Sequence, residues 1–129
     1  MYVRAAAKQE AFRMNAQQWM VAAFAAVACG GLLMALRATF GHWGPTWLRN
    51  GHGLGGLAAL IALFAMNLHG EAATPIRSWW AFGVLLSGFI GGLLLLRVLF
   101  RSKAPLWVVF LHGAIGITGI ALLYSTLRV

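Results

Sequence analysis

Residues 45–56, PTWLRNGHGLGG, and residues 105–116, PLWVVFLHGAIG, carry one pattern twice. A shift of 60 positions (112 − 52) lays Pro45, Trp47, His52, Gly53 and Gly56 on Pro105, Trp107, His112, Gly113 and Gly116 without a gap, the motif P-x-W-x4-H-G-x2-G in both places. The same shift pairs Trp19 with Trp79, Gly31 with Gly91, Leu33 with Leu93, Leu36 with Leu96, Arg37 with Arg97, Phe40 with Phe100 and Leu63 with Leu123. Twelve of the 45 positions from Trp19 to Leu63 are therefore identical to their partners. Self-similarity at a fixed period predicts a duplicated structural unit, here repeat 1 over about residues 14–69 and repeat 2 over about residues 74–129.

Composition says what solvent surrounds that unit. The 129 residues are 61% hydrophobic and 9% charged, with a mean hydropathy of +0.81. Such a chain cannot solvate a folded surface in water, which places it in a bilayer. Four stretches lack Lys, Arg, Asp and Glu: Met14 to Leu36, Asn50 to Gly70, Ser78 to Leu96, and Ala104 to Leu127. Each approaches or exceeds the roughly 20 residues that a helix needs to cross hydrocarbon. The expectation is an all-α integral membrane protein, a four-helix transmembrane bundle over residues 14–129 made of two tandem-duplicated helical hairpins. A basic segment, residues 1–13, precedes it and has the composition of a short interfacial helix. Arg4, Lys8 and Arg13 before an apolar run ending Ala26-Val27-Ala28-Cys29 also have the form of a cleavable signal. The repeat continues through residues 31–40, so the run is read as the first span. Cys29 is the only cysteine, which excludes an intrachain disulfide and a thiolate cluster.

Two spans per repeat return the chain to the side on which it started. The copies are thus expected to relate by a pseudo-two-fold axis along the membrane normal, a parallel repeat. His52 and His112 then lie at one depth, facing each other. Helical steps from His52 reach Gly56, Ala59 and Leu63, and from His112 they reach Gly116, Gly119 and Leu123, so each histidine heads a stripe of small residues. Imidazoles in a bilayer need partners. Two neutral imidazoles from two helices suit the axial positions of a single b-type haem iron, with Gly53, Gly56, Gly113, Gly116 and Gly119 giving the macrocycle room. No C-x-x-C-H motif exists for covalent attachment, and zinc would need more Cys, His or acidic ligands than the spans supply. Arg37 and Arg97, with Arg49 one turn before His52, are candidates for the haem propionates. Arginines at helix ends also snorkel without any ligand.

Other features have plainer readings. The tryptophan pairs 19/79 and 47/107 are expected in interfacial belts, and Pro45 and Pro105 at the starts of the second and fourth helices. Gly83, Ser87 and Gly91, with Gly88 and Gly92, form two small-xxx-small series suited to close helix packing. His42 falls in the first connection beside Trp43, where it would line a quinone headgroup pocket or stand solvated. His69 lies 17 residues past His52 (69 − 52), about 25 Å along a helix and at the opposite face.

Spans with paired inward histidines, His52-Gly53 and His112-Gly113, resemble the small four-helix b-type cytochromes of the cytochrome b561-like class. The two-haem members of that class need four inward histidines, and this chain departs from them. The resemblance implies haem b, exchange of electrons with quinone or a partner dehydrogenase, and a place in the bacterial inner membrane as a multi-pass subunit of a larger redox complex or a homo-oligomer. Two other classes compete. One is a cofactor-free accessory subunit of a respiratory or photosynthetic assembly. The other is a small transporter, disfavoured because both acids, Glu10 and Glu71, lie outside the spans.

Basic residues divide evenly between the two faces: Arg4, Lys8, Arg13, Arg77 and Arg128 against Arg37, Arg49, Arg97, Arg101 and Lys103. The positive-inside rule therefore sets no orientation. Assigning Arg37 and Arg97 to haem leans the count toward cytoplasmic termini. The formal net charge of +8 is split across a membrane, so nucleic acid is excluded and anionic lipid headgroups or acidic partners are the expected counterions.

Overall fold

A computed structural model describes residues 15–70, 73–101 and 103–128. The basic segment 1–13 and both acidic residues, Glu10 and Glu71, lie outside the described residues. Four helices dominate: α1 (Ala16–Thr39), α2 (Thr46–Gly70), α3 (Ile76–Gly91) and α4 (Leu106–Ser125). A π-helical segment, Gly92–Leu99, continues α3, and a 3-10 turn, Thr126–Arg128, comes after α4. No strand occurs among the described residues.

All four helices are long and apolar enough to span a bilayer, at 24, 25, 24 (α3 with its π extension) and 20 residues. At about 1.5 Å rise per α-helical residue, even α4 covers about 30 Å. The helices outrun the charge-free stretches, taking in Arg37, Arg49, Arg77 and Arg97 near their ends. A long cationic side chain near a helix end can carry its charge to the headgroups while the backbone stays helical.

Local chemistry sets the helix starts. Asn15 accepts from the Gln18 amide at 2.8 Å while Gln18 Oε1 accepts from the Asn15 amide at 2.9 Å, a reciprocal cap on α1. Pro45 and Pro105 stand immediately before α2 and α4, as expected, and their carbonyls accept the first amides of those helices, from Leu48 and Val108 at 3.1 and 3.0 Å. Pro75 does the same for α3, with ψ 137° as the chain enters the helix. The two outer connections share another feature. Gly41 has φ 74° and Arg101, 60 positions later, has φ 49°. Both turns reverse the chain through a left-handed residue, and only the first uses the residue that adopts it without strain.

Each helix packs along its sequence neighbours, and α4 closes the ring against α1. The bundle is thus an antiparallel square with α2 and α4 on one diagonal. Its hydrophobic core is Phe24, Ala59, Leu60, Leu63, Ala81, Leu85 and Leu123. These residues belong to the half of the bundle where α1 and α3 begin and α2 and α4 end. In the other half, Ala104 and Val108 around the start of α4 are buried, while the π segment buries no residue and α1 beyond Phe24 buries none.

Candidate cofactor site

His52 and His112 each stand six residues past the first residue of their helix (52 − 46 and 112 − 106). On antiparallel hairpins closed into a square, this gives them one depth and opposite corners. Their rings meet across the diagonal with centroids 6.0 Å apart and planes at 77°. The stripes beneath them also face inward: Ala59, Leu63, Gly119 and Leu123 are all buried.

Both imidazoles are anchored in the same way. His52 Nδ1 donates to the Val27 carbonyl at 2.8 Å, and His112 Nδ1 donates to the Gly88 carbonyl at 3.1 Å. A carbonyl only accepts, so the proton of each neutral ring is fixed on Nδ1 and the Nε2 lone pair is left available. Neither Nε2 has a hydrogen bond among the described residues. A second donor to a helix carbonyl needs an opening, because the side chain at i+4 leans back over that turn. Here the residues four past the two carbonyls are Gly31 and Gly92. A Cβ on Gly31 would lie 2.8 Å from His52 Cε1, and one on Gly92 would lie 2.6 Å from His112 Cε1. Each glycine is the seat of an imidazole.

A third carbonyl is used with more room. Arg97 Nη2 donates to the Arg49 carbonyl at 2.8 Å, and four residues past Arg49 is Gly53, where a Cβ would stand 3.5 Å from that nitrogen, an ordinary contact rather than a clash. Arg97, carried by the π segment of the second hairpin, thereby reaches the turn of α2 that bears His52. Arg49 and Arg97 are brought together beside His52, while Arg37 stands exposed in the last turn of α1.

The remaining glycines divide by what they face. Gly113 and Gly116 meet open space, Gly56 touches Val27 and Phe89, and the slot at Gly119 is filled by Leu85, whose Cγ would lie 2.5 Å from a Cβ. Gly119 is thus a packing glycine in the core. On α3 the two small-residue series part company. Gly88 packs against Ile115 and Gly92 against His112, whereas Gly83 and Gly91 have no neighbour within 4 Å and Ser87 is exposed.

His42 and His69 are exposed and away from the pair, and Cys29 is exposed on α1. Trp19, Trp47 and Trp107 are exposed, while Trp79 packs edge-on against Phe64 and Phe82. No group of three or more His, Cys, Asp or Glu side chains gathers among the described residues, so the donor set here is two imidazoles.

The gap-free alignment pairs Gly31 with Gly91, yet the residue under His112 is Gly92. The doublets Gly30-Gly31 and Gly91-Gly92, 61 positions apart, are the sequence signal for these seats, together with the small residues flanking the anchoring carbonyls. Asn67 carries no such signal in the sequence: it is 1% exposed near the end of α2 and bonded to Ser78. No known protein-family model, curated protein or solved structure matches this chain.

Proposed function

We propose that the chain is a membrane-bound b-type cytochrome or haem-bearing anchor subunit that passes electrons between a partner redox protein and the quinone pool, with His52 and His112 as the axial ligands. The observation that carries this reading is the shared anchoring of the two rings. Histidine ligands of metals characteristically donate their second ring nitrogen to a carbonyl or carboxylate, which fixes the tautomer and aims the free nitrogen. Both histidines have that arrangement, at one depth, on diagonal helices, with no third ligand beside them among the described residues.

The residues fit such a group in number: two imidazoles at one depth, centroids 6.0 Å apart, would hold its iron, and the group would supply one-electron redox chemistry. The protein's part is to orient both imidazoles through the Val27 and Gly88 carbonyls, to keep Gly116 free of any neighbour within 4 Å, and to keep water out with the apolar spans. Arg97 and Arg49 would meet the propionates, Arg97 already tethered by one nitrogen and presenting the rest of its fork. Gly53 and Gly56 would border the macrocycle. Tandem duplication of an ancestral hairpin accounts for the common depth, common anchoring and matching left-handed turns. Under this reading the membrane is a bacterial inner membrane with the termini on its cytoplasmic side.

A second reading has its own observation. The ring pair already meets edge to face at a separation usual for aromatic contacts, and each ring already staples two helices. A cofactor-free accessory subunit of a respiratory or photosynthetic complex would use them as they stand.

One measurement separates the two: a reduced-minus-oxidised absorption spectrum of the detergent-purified chain with a pyridine haemochrome assay. About one b haem per chain is expected from two axial ligands. A folded sample, purified with its native partners and holding none, would overturn the haem reading in favour of the accessory subunit.

A further inference from the structure

The histidine end of the bundle carries five cations: Arg37 in the last turn of α1, Arg49 in α2, Arg97 in the π segment, and Arg101 and Lys103 in the connection to α4. No carboxylate side chain of the sequence can reach them. Its two acids are Glu10 and Glu71. Glu71 directly follows Gly70, the last residue of α2 at the opposite end. Glu10 stands five residues before Asn15 (15 − 10), at most about 18 Å of extended chain, whereas the 24 residues of α1 cover about 36 Å. Arg97 is tied to the Arg49 carbonyl beside His52. Arg37, Arg101 and Lys103 are exposed, and none of their side chains has a hydrogen bond or ion pair among the described residues. Arg101 also holds φ 49° at the turn where the first hairpin has Gly41, so the second hairpin keeps a cation in a backbone conformation that disfavours any side chain.

Depth decides what meets these charges. Trp47 and Trp107, the second residues of α2 and α4, are 73% and 65% exposed, and Phe40, which caps α1, is 78% exposed. Exposed tryptophans at helix ends mark the level of the lipid headgroups. Each connection at this end has six residues, 40–45 and 100–105, too few to raise a surface above that level. Arg37 lies two residues before the end of α1 (39 − 37), one long side chain from the phosphate layer, and guanidinium forks match phosphate oxygens. An acidic soluble protein would have to press into the headgroups to meet Arg37, whereas a phospholipid is already there. A zwitterionic headgroup brings a cation of its own, which this uncompensated face repels.

We propose that this end of the bundle binds anionic glycerophospholipid in preference to zwitterionic, with Arg37, Arg101 and Lys103 holding the headgroups and Phe40, Trp47 and Trp107 packing on the acyl chains. Arg49 and Arg97 are assigned to the haem edge, so the proposal stands independently of the haem reading.

The test uses the full chain in dodecyl maltoside with 5-fluorotryptophan at all six tryptophan positions, assigned by single Trp→Phe substitutions. Trp43, Trp47 and Trp107 report on the histidine end, and Trp19, Trp79 and Trp80 on the other. Dioleoylphosphatidylglycerol and dioleoylphosphatidylcholine are titrated into separate samples. Saturable fluorine shifts at Trp47 and Trp107 are expected, with affinity at least about tenfold higher for phosphatidylglycerol, since each cation at a membrane surface contributes a factor of roughly five. The combined variant Arg37→Gln/Arg101→Gln/Lys103→Gln should lower that preference at least about fivefold, while Arg77→Gln, at the opposite end, should leave it unchanged. The three single substitutions serve in its place should the combined variant not fold. The proposal is overturned if the parent's preference falls short of about tenfold, if the cation variants keep it, or if Arg77→Gln lowers it as much. It is also overturned if Trp47 and Trp107 ignore phosphatidylglycerol and respond to poly-L-glutamate, which would give this face to an acidic protein.

Discussion

The two halves of the bundle are held together by different physics. Toward the end where α2 and α4 finish, Leu63 and Leu123 are fully buried and pack with Phe24, Leu60, Ala81 and Leu85. Toward the histidines, the π segment and α1 beyond Phe24 bury nothing, Ala104 and Val108 around the start of α4 are buried, and three side-chain donors are bonded to three helix carbonyls. In lipid, removing apolar side chains from the surroundings gains little, so association depends on close packing and interhelical hydrogen bonds. The half with the larger core relies more on the first, and the histidine half, where Val108 is the one large side chain fully buried, adds three hydrogen bonds to helix carbonyls. The two imidazole nitrogens without a hydrogen bond among the described residues belong to the half where glycines open helix carbonyls to side-chain donors.

The largest expected difference between the halves is spectroscopic. His52→Ala or His112→Ala should each abolish the low-spin haem spectrum, while His42→Ala, His69→Ala and the core substitution Leu63→Ala should leave it in place. Retention of that spectrum by either ligand variant would refute the pairing. Leu63→Ala should act on stability instead. It opens a cavity where Leu63 is 0% exposed and should cost about 2–5 kcal/mol, nearer the lower figure because lipid replaces water as the reference. Reversible unfolding in mixed micelles of increasing dodecyl sulfate content measures it, and a cost below about 1 kcal/mol would mean that this half is not the packed one.

A sharper contrast lies one residue apart on α3. Gly92→Ala places a methyl 2.6 Å from His112 Cε1, and overpacking of that kind costs about 1–3 kcal/mol. It should also displace the imidazole and perturb or remove the haem signal. Gly91→Ala meets no atom within 4 Å and should be neutral or stabilising by up to about 1 kcal/mol through helix propensity. Equal effects at both positions would show that the seat of His112 is elsewhere.

Gly92 also shows where the sequence stops being legible. Four spans can be read from hydropathy and length because lipid constrains every residue of a helix that crosses it. The histidine pair can be read from the repeated phrase. The identity of residues 31 and 91 points to the wrong member of the doublet, since matching letters do not record how far a helix has rotated by the time it passes its neighbour. The π winding beyond Gly91 lies outside any α-helical periodicity, so the reach of Arg97 to the Arg49 carbonyl is invisible in the sequence, although both arginines stand out there as candidates. Asn67 is hidden for a different reason. A single amide in an apolar span has no pattern, and only the folded contact with Ser78 and the orphaned Nδ2 distinguish it from a polar residue at a helix end.

The smallest effect tests whether the histidine half depends on its bonds one by one. Arg97→Gln removes the donor that ties the second hairpin to the Arg49 carbonyl, a partly solvated bond worth on the order of 0.5–1 kcal/mol. The same micelle titration that reads Leu63→Ala should register a shift of that size. Gly53→Ala should leave that bond in place, because the new methyl would stand 3.5 Å from the Arg97 nitrogen, an ordinary van der Waals contact. The double variant should then lose no more than Arg97→Gln alone. Additive losses would mean that Gly53 matters for something besides Arg97. Proximity to the macrocycle would then be the explanation to pursue, and the haem spectrum of Gly53→Ala, compared with that of Arg97→Gln, would show it directly.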